Sequence, residues 1–418
     1  MTRVEAAPAT TSLRITTLDA VRGFAVMGIL LLNIVDFGMP GYAYIDPNYY
    51  GGATGADWWA WATTYVFADG KMRGLFTMMF GASCVLIAEQ AVGTGQSPAR
   101  VHYSRMFWLF VIGMIHAYLI WAGDILVLYA VSGALMFALW RWRARALLAL
   151  GIALLMIKLS LGLMSYSALS RLQAQAAAPG ATESVRKEWS DFIHSAAPPP
   201  ETAVEDLRAY RGSWREAAQA RIAFARIMQT QILAYSLLDT FALIAIGMAL
   251  FRNGFFNGTW PRRRYWQIVA GGFLVAAPLY VPLVLWIEST RFSPVTLVAT
   301  EAIHLTLLRP WMSLAWASLV ILFVQSPAMP WLSNRLTAAG RMAFSNYLGT
   351  SIVCTLIFNG YGLGWFGYLS RWQLYAVVAL VWALILLWSK PWLDYYRYGP
   401  FEWLWRSLSR WHLQPMHR

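Results

Sequence analysis

Apolar runs long enough to cross a membrane recur along the whole chain of 418 residues. A helix that crosses the roughly 30 Å hydrocarbon layer needs about 20 apolar residues, because each residue rises about 1.5 Å. By this measure we predict about ten membrane spans. They cover approximately residues 18–37, 72–91, 106–121, 125–140, 146–166, 232–251, 266–287, 305–324, 342–360 and 372–388. The predicted fold class is therefore all-α, a polytopic membrane helical bundle.

The composition excludes an ordinary soluble protein. Hydrophobic residues make up 58% of the chain and charged residues only 13%, whereas soluble domains carry roughly 25% charged residues. The formal net charge is +13, but the basic residues lie between the apolar runs and do not form one soluble basic patch. We therefore expect the lipid bilayer as a partner and no nucleic acid.

The short loops predict how the chain crosses the membrane. Lys and Arg are retained on the cytoplasmic side of membrane proteins; alternate short loops and tails carry fifteen of these residues, whereas the other short loops are nearly bare. The fifteen are Arg100, Arg105, Arg141, Arg143, Arg145, Arg252, Arg262, Arg263, Arg264, Arg335, Lys390, Arg397, Arg406, Arg410 and Arg418. We therefore expect a multi-pass protein of the bacterial inner (plasma) membrane with both termini in the cytoplasm.

One polar segment interrupts the apolar pattern. Residues 167–231 carry mixed charge and the run Pro198-Pro199-Pro200, so we predict a large extracytoplasmic loop between the fifth and sixth helices. Long loops are translocated largely regardless of their charge. The predicted organisation is a five-helix half (1–166), the loop (167–231), and a second five-helix half with a cytoplasmic tail (232–418).

Ionisable residues inside spans cost a few kcal/mol on insertion scales, so each needs a partner, a wet cavity or a function. In the first span, Asp19, Arg22 and Asn33 fall within one sector of the helix, since each residue turns about 100°. This polar stripe points from the cytoplasmic mouth toward the outer side. An equally good alternative is that Asp19 and Arg22 form a pair that only anchors the helix at the interface, and that Asn33 forms a hydrogen bond to a neighbouring helix.

The third span carries a single histidine. His116 lies eleven residues after Arg105 and hence on the same helical face, and imidazole suits proton transfer near neutral pH. Asp124 can accept the other ring N–H only if the turn at Gly123 folds back. The alternative is a structural histidine bonded to a carbonyl group. We rank His116 as the best candidate for a catalytic residue.

A second polar group lies near the eighth span. Glu301, His304 and Arg309 precede Pro310, whose ring disfavours regular helix at Arg309. We favour an ion cluster at the outer surface over a binding site for these three residues. Asp239 and Lys158 are further charges inside spans, and we expect them to pair with each other or with Arg22.

Several segments resemble one known family in the right order. The first of them includes Arg14, Leu18-Asp19, Arg22-Gly23, Gly28 and Asn33. The segments are residues 14–34, 71–81, 116–126, 247–254, 340–347 and 399–406. They resemble the YeiB family, also called domain of unknown function 418, over almost the whole chain outside the long loop.

The resemblance implies a function. That family is grouped by resemblance with transmembrane acyltransferases, including heparan-alpha-glucosaminide N-acetyltransferase and the acyltransferase-three proteins. It implies acyl transfer from a cytoplasmic acyl-CoA co-substrate to a hydroxyl or amine of a lipid or sugar acceptor. We expect no bound cofactor, and no metal site because the sequence has neither a CxxC pair nor an HExxH motif. One departure matters, because Asn33 stands where the acyltransferase-three pattern has a histidine. An asparagine cannot act as a general base, so this role passes to His116.

The predicted site follows from these arguments. His116, Asp124, Asp19 and Arg22 form the predicted catalytic group. The residues predicted to bind CoA or substrate are Asn33, Lys71, Arg73, Arg105, Arg141, Arg309, Arg341, Asn346 and Tyr347. The main alternative is a transporter in which the same buried charges line a substrate or proton path, and the third is a structural or sensing protein without turnover.

Overall fold

The fold is entirely helical in the part of the chain that the structure describes. The structure, a computed structural model, describes residues 9–418, and the side chains of residues 16–418 apart from residue 232. Within these residues there is no β-strand, and one isolated bridge joins Tyr396 to His417. Arg14, at the start of the family motif, lies outside the described side chains. The prediction of an all-α polytopic bundle is confirmed.

Eighteen α-helices follow one another along the described chain. They are α1 Ala9–Gly38, α2 Gly55–Phe67, α3 Lys71–Gly93, α4 Pro98–Ile115, α5 Leu126–Met136, α6 Ala144–Ala177, α7 Glu183–Ala196, α8 Pro200–Arg211, α9 Trp214–Ile227, α10 Leu233–Arg252, α11 Arg262–Ala270, α12 Tyr280–Ser289, α13 Pro294–Ile303, α14 Arg309–Val324, α15 Pro330–Arg341, α16 Ala343–Phe358, α17 Arg371–Tyr395 and α18 Pro400–Arg410. Short 3₁₀ turns cover Gly41–Tyr44 and Phe137–Leu139, and π-helical turns cover His116–Ile120, Met228–Ile232, Gly271–Ala276 and His304–Leu308.

Eight helical segments of the described chain are long and apolar enough to cross a membrane. They are Thr16–Gly38, Gly55–Gly93, Pro98–Ile120, Ala144–Ala177, Leu233–Arg252, Arg262–Ser289, Pro294–Val324 and Arg371–Tyr395. The predicted fourth and ninth spans correspond to shorter apolar helices, Leu126–Leu139 and Ala343–Phe358. The second of these has 16 residues and reaches only about 24 Å, less than the hydrocarbon thickness.

Three predicted boundaries differ clearly from the structure. The second span, predicted from residue 72, is preceded by the unpredicted helix α2, and the apolar helical segment begins at Gly55. The eighth span begins at Pro294 and not near residue 305, because the polar residues in its first turns are buried in the bundle and lower the hydropathy without ending the helix. The fifth helix continues to Ala177. The polar segment 167–231, expected as a loop, contains the end of this helix and the helices α7, α8 and α9.

Glycines of the family motifs allow pairs of helices to approach closely. A Cβ added at Gly247 in α10 would lie 2.1 Å from the carbonyl oxygen of Met78 in α3. A Cβ at Gly340 in α15 would lie 1.7 Å from the carbonyl oxygen of Asp19 in α1. Small residues at helix crossings are a common way to pack helices within membranes. These glycines therefore explain parts of the family motifs by packing alone.

Two amphipathic helices outside the spans complete the molecule around the site. Helix α9 holds the π-helical turn after α4, since Arg221 donates to the carbonyl of Leu119 at 2.7 Å. Helix α18 is held at the start of α16, where Glu402 accepts hydrogen bonds from the backbone N–H groups of Phe344 and Ser345 at 2.7 and 3.0 Å. The first contact fixes the turn at His116, and the second encloses a large cavity described below.

Candidate active site between two cavities

His116 and Asp124 form a buried hydrogen-bonded pair. Helix α4 ends at Ile115 in a π-helical turn that begins at His116, and the chain then folds back before α5. This return places the Nδ1 atom of His116 2.7 Å from Oδ2 of Asp124. The other oxygen of Asp124 accepts the backbone N–H of Val127 at 2.9 Å, at the start of α5. The folding back at Gly123 on which the predicted contact depended is present.

The hydrogen bonds assign a tautomer to His116. A carboxylate only accepts hydrogen bonds, so Nδ1 carries the proton and Nε2 keeps its lone pair. Nε2 has no hydrogen-bond partner within the described residues, and the side chain is 1% exposed. An imidazole held by a carboxylate at Nδ1, with a free Nε2, is the arrangement of a general base in many enzymes.

A large cavity rich in arginine lies at one end of the bundle. Its volume is about 1680 Å³, and we call it the arginine cavity. The arginines that line it are Arg22, Arg100, Arg105, Arg341, Arg397, Arg406 and Arg410. The carboxylates in the same lining are Asp19, Glu89 and Glu402. The excess of guanidinium groups suits a ligand with several phosphates, which guanidinium groups bind through paired hydrogen bonds.

Two of these arginines are fixed by the helices around the cavity. Arg22 pairs with Asp19 at 2.8 Å and donates to the hydroxyl of Ser83 at 3.1 Å. The guanidinium of Arg105 lies 4.0 Å from the centre of the Trp405 ring, and its Nε has no hydrogen-bond partner among the described residues. Arg105 therefore keeps donor capacity for a bound ligand.

A second cavity lies toward the other end of α1. Its volume is about 480 Å³, and we call it the distal cavity. Asp19 lines the first cavity and Asp36 the second, and these residues are about 25 Å apart along the helix. The polar residues that line the distal cavity include Asn33, Asp36, Asp69, Arg73, Asp124, Glu301 and His304, and its aromatic residues are Tyr44, Trp61, Tyr65, Trp121 and Phe224.

The start of α5 separates the two cavities. Leu126 and Tyr129 line the arginine cavity, whereas Ile125, Val127 and Leu128 line the distal cavity. Tyr347 lines the arginine cavity, and its ring centre lies 5.3 Å from that of His116. Its hydroxyl accepts the backbone N–H of Ile125 at 3.3 Å. We call Tyr347 and residues 125–129 the septum. His116 lies beside it but lines neither cavity.

A network of buried charges stands behind the distal cavity. Asp239 accepts hydrogen bonds from Lys158 at 2.9 Å, from Arg309 at 2.9 Å and from Arg73 at 3.1 Å. The predicted partnership of Lys158 and Asp239 is present, and Arg22 is not part of it. Arg309 and His304 are 0% and 3% exposed, so the expected ion cluster at the outer surface is wrong for these two residues. Sequence reasoning missed this because separate helices supply Arg73, Lys158 and Asp239.

The structure divides the predicted binding residues among several places. Arg105, Arg341 and Tyr347 line the arginine cavity, and Asn33 and Arg73 line the distal cavity. Lys71 lies deeper, 3.8 Å from the centre of the Tyr280 ring.

Four of the predicted binding residues line neither cavity: Lys71, Arg309, Arg141 and Asn346. Arg141 is exposed and stacks on Trp140, with its guanidinium 4.9 Å from the ring centre. The amide of Asn346 is used within the protein, by the carbonyl of Ala339, the hydroxyl of Ser389 and the indole of Trp388. Arg406, which was assigned only to topology and to a family motif, does line the arginine cavity.

Comparison with known proteins identifies the family. The family model described as "Protein of unknown function (DUF418)" matches residues 250–412. The uncharacterized protein YeiB of Escherichia coli K12 is 31% identical over 405 residues, which cover 94% of this chain and 95% of that protein. The uncharacterized protein YxaH of Bacillus subtilis 168 is 28% identical over 428 residues, 98% and 97% of the two chains. No solved structure matches the chain. The chain belongs to the YeiB family, whose members are related to this one along nearly their whole length.

Proposed function

We propose that this protein is a membrane acyltransferase. It takes an acyl group from acyl-CoA bound in the arginine cavity and passes it to a hydroxyl or amine of an acceptor in the distal cavity. The observation that carries the proposal is the position of the His116–Asp124 pair, with a free Nε2, beside the septum between the two cavities. The resemblance of this family as a whole to transmembrane acyltransferases supports the same reaction class.

In the proposed reaction His116 acts first as a general base and then as a general acid. His116 Nε2 takes the proton of the acceptor O–H or N–H while the acceptor heteroatom forms a bond to the thioester carbonyl carbon. The tetrahedral intermediate then collapses, the C–S bond breaks, and its electron pair goes to sulfur. The Nε2 proton passes to the thiolate, which leaves as CoA. Asp124 holds the ring and stabilises the imidazolium that forms between the two steps.

The reaction also needs a movement at the septum. His116 is almost fully buried, so the substrates reach Nε2 only when a side chain of the septum turns away. Tyr347 suits this role because it faces the arginine cavity and also contacts the imidazole. Rotation of its ring would open a path between the arginine cavity and Nε2.

The proposed orientation places the arginine cavity in the cytoplasm of a bacterium, where acyl-CoA is made. The arginines of the short loops support it through the charge asymmetry of membrane proteins. Helix α18, which lines this cavity, then lies on the cytoplasmic face. Both termini are cytoplasmic in this orientation, and the membrane is the plasma membrane.

The test is a transfer assay with the purified protein in lipid nanodiscs. We would incubate it with radiolabelled acetyl-CoA and longer acyl-CoA compounds, together with extracted membrane lipids or sugars, and follow both label transfer and CoA release. We expect transfer by the wild type, loss in His116→Gln, and wild-type activity in His194→Gln, a control in the exposed helix α7. Absence of both acyl-CoA binding and transfer at every chain length would contradict the proposal.

Transport is the second candidate function, and the two cavities separated by one thin septum favour it. In this case the network at Asp239 would couple movement to protons. Proteoliposomes would then show flux of an unmodified substrate, and Asp239→Asn or Lys158→Met would abolish its dependence on a proton gradient. A covalent product from acyl-CoA in the same vesicles would decide for the transferase.

A further inference from the structure

Three buried nitrogen atoms have no hydrogen-bond partner, on His304, which lines the distal cavity, and on Arg309, which lies behind Gly70 of its lining. They are Nε and Nη2 of Arg309 and Nε2 of His304, and none has a partner within the described residues. Both side chains are almost fully buried. Leaving a buried donor unsatisfied costs about 1–3 kcal/mol, and more for a charged group. Three such donors close together therefore indicate a ligand that accepts hydrogen bonds.

The tautomer of His304 makes its Nε2 a donor. The Tyr280 hydroxyl lies 2.9 Å from Nδ1 of His304 and has no other hydrogen bond in the described part of the chain. We infer that this O–H donates to Nδ1, which leaves the ring proton on Nε2. His304 thus has the opposite tautomer from His116. In His116, Nδ1 carries the proton and donates to a carboxylate, and Nε2 is free to accept. One histidine offers a lone pair, and the other offers a proton.

The backbone of Gly70 passes close to these nitrogen atoms. It lines the distal cavity, and a Cβ at this position would lie 2.9 Å from Nε2 of His304 and 3.0 Å from Cδ of Arg309. Its φ of +65° is in the left-handed region, which glycine adopts at little cost. Helix α3 begins at the next residue, and the positive end of its dipole favours an anion at this place.

Cations and carboxylates lie together around the site. The charged residues grouped here are the cations Lys71, Arg73, Lys158 and Arg309 and the carboxylates Asp69, Asp239 and Glu301. Only Asp239 forms ion pairs within 4 Å with these cations among the described residues. Asp69 and Glu301 face the distal cavity. Asp36 and Asp124 also line this cavity, so its net charge is not positive, and the unpartnered nitrogen atoms of Arg309 and His304 are what favour an anion.

We propose that the distal cavity binds an anionic group, a carboxylate or a phosphate, through Nε2–H of His304 and the unpartnered Nε and Nη2 of Arg309, next to the start of α3. That this group belongs to the acceptor of the acyl transfer rests on the function proposed above. The reacting hydroxyl or amine of the same molecule would point toward Asp124 and toward Ile125 and Val127 of the septum, which also line this cavity.

The first test is direct anion binding by the full-length protein. Phosphate and acetate would be titrated calorimetrically into wild-type protein in phosphatidylcholine nanodiscs, at constant ionic strength and without chloride. A second arm compares thermal unfolding in phosphatidylglycerol and phosphatidylcholine nanodiscs. Saturable binding of phosphate or acetate indicates a soluble anion. Stabilisation by phosphatidylglycerol without such binding indicates a lipid headgroup, and either result supports the site.

Variants connect the signal to the named atoms. His304→Phe removes the donor, and we expect at least tenfold weaker binding of the anion or loss of the phosphatidylglycerol effect. His304→Gln keeps an N–H near the position of Nε2 and retains most of the binding. His194→Phe, in exposed α7, binds as the wild type does. Equal affinity in His304→Phe and wild type would overturn the proposal.

The wild-type titration keeps the proposal testable even where a variant fails to fold. No binding in either arm would mean that Asp69 and Glu301 already neutralise the cluster, and the proposed site would be wrong. Because anion binding needs no acyl-CoA, this result is separate from the transfer assay. Anion binding without acyl transfer would support the anion site and contradict the acyltransferase function. Acyl transfer without anion binding would support the acyltransferase function and contradict the anion site.

Discussion

The Nδ1 atom of His116 lies 2.7 Å from Oδ2 of Asp124, although the two residues stand on opposite sides of a turn that leaves the helix. Asp124 also caps the start of α5 through Val127, so one carboxylate orients the imidazole and begins the helix that separates the two cavities. The geometry of the base and the geometry of the septum are thereby linked.

Asp124→Asn tests the orientation of the imidazole. An asparagine amide can donate a hydrogen bond to Nδ1, and the ring proton of His116 would then sit on Nε2. Nε2 would no longer have a free lone pair to take the proton from the substrate hydroxyl or amine. We expect the rate of acyl transfer to fall by about 10² to 10⁴-fold, the usual contribution of a positioned general base, with KM for acyl-CoA little changed. Asp191→Asn, in an exposed pair with Lys187, serves as the control. A wild-type rate of acyl transfer by Asp124→Asn would contradict the role of His116 as the general base.

Gly123→Ala tests the turn that joins the pair. A Cβ at Gly123 would lie 2.3 Å from the indole ring of Trp121, so the turn must shift and Asp124 must move away from His116. Trp121 donates to Asp36 at 2.8 Å and cannot yield without losing this bond. We expect a loss of kcat comparable to that of Asp124→Asn. Gly180→Ala, where an added Cβ meets nothing within 4 Å, should transfer acyl groups at the wild-type rate.

The arginine cavity predicts how the enzyme distinguishes CoA derivatives. A charge-assisted hydrogen bond contributes about 1.5–3 kcal/mol, so Arg341→Gln or Arg406→Gln should raise KM for acyl-CoA roughly 10- to 100-fold. Suppose that the mutated arginine binds one particular phosphate of CoA. The variant should then bind acyl-CoA and the derivative without that phosphate equally well, whereas the wild type prefers acyl-CoA. Exposed Arg141→Gln is the matched control. An unchanged KM in both cavity variants would mean that the cavity binds something else.

The sequence predicted the individual polar residues better than their grouping. Insertion cost alone identified Asp19, Arg22 and His116, because a charged or ionisable group in an apolar run needs a reason. The pairing of His116 with Asp124 was predictable only as a condition on the turn at Gly123, because local sequence does not fix the path of a chain that leaves a helix. The π-helical turn that starts at His116 left no visible signal in the sequence.

The division into two cavities was not predictable. It depends on how α1, α5 and α16 cross, and their crossing is set by packing between segments far apart in the chain. Tyr280 is an example, since an apolar span that contains one tyrosine gives no hint that its hydroxyl contacts His304. Arg406 was visible as a basic residue after the last span, but only the packing of α18 against α16 brings it to the arginine cavity.

Asp239 predicts where the bundle is most easily destabilised. It is the only carboxylate that forms close ion pairs with Lys158, Arg309 and Arg73 in the described chain. Asp239→Asn would leave these buried cations without a counter-charge, and breaking a buried pair in this way costs about 3–5 kcal/mol. Lys158→Met removes one of the cations and should cost much less. Unfolding in nanodiscs monitored by tryptophan fluorescence would compare the two, and equal stability of Asp239→Asn and wild type would contradict the network.

Glu402 gives a prediction about pH that involves a group outside the spans. Its carboxylate accepts two backbone N–H groups at the start of α16 and the hydroxyl of Ser345, while burial raises its pKa above the ordinary value of 4.5. A raised pKa in the folded state means that the folded protein holds the proton more tightly than the unfolded chain does. This contribution to stability is full below pH 4.5 and is lost as the pH rises through the raised pKa.

The variant Glu402→Gln separates this charge effect from the hydrogen bonds. Its amide oxygen can still accept both N–H groups, so it should fold, and its Tm should fall less than that of the wild type between pH 4.5 and neutral pH. Glu402→Ala leaves the two N–H groups without an acceptor and should lose about 1–3 kcal/mol at every pH. Glu188→Gln, in exposed α7, provides the baseline. Parallel pH profiles for Glu402→Gln and wild type would mean that Glu402 titrates in the folded protein as it does in the unfolded chain.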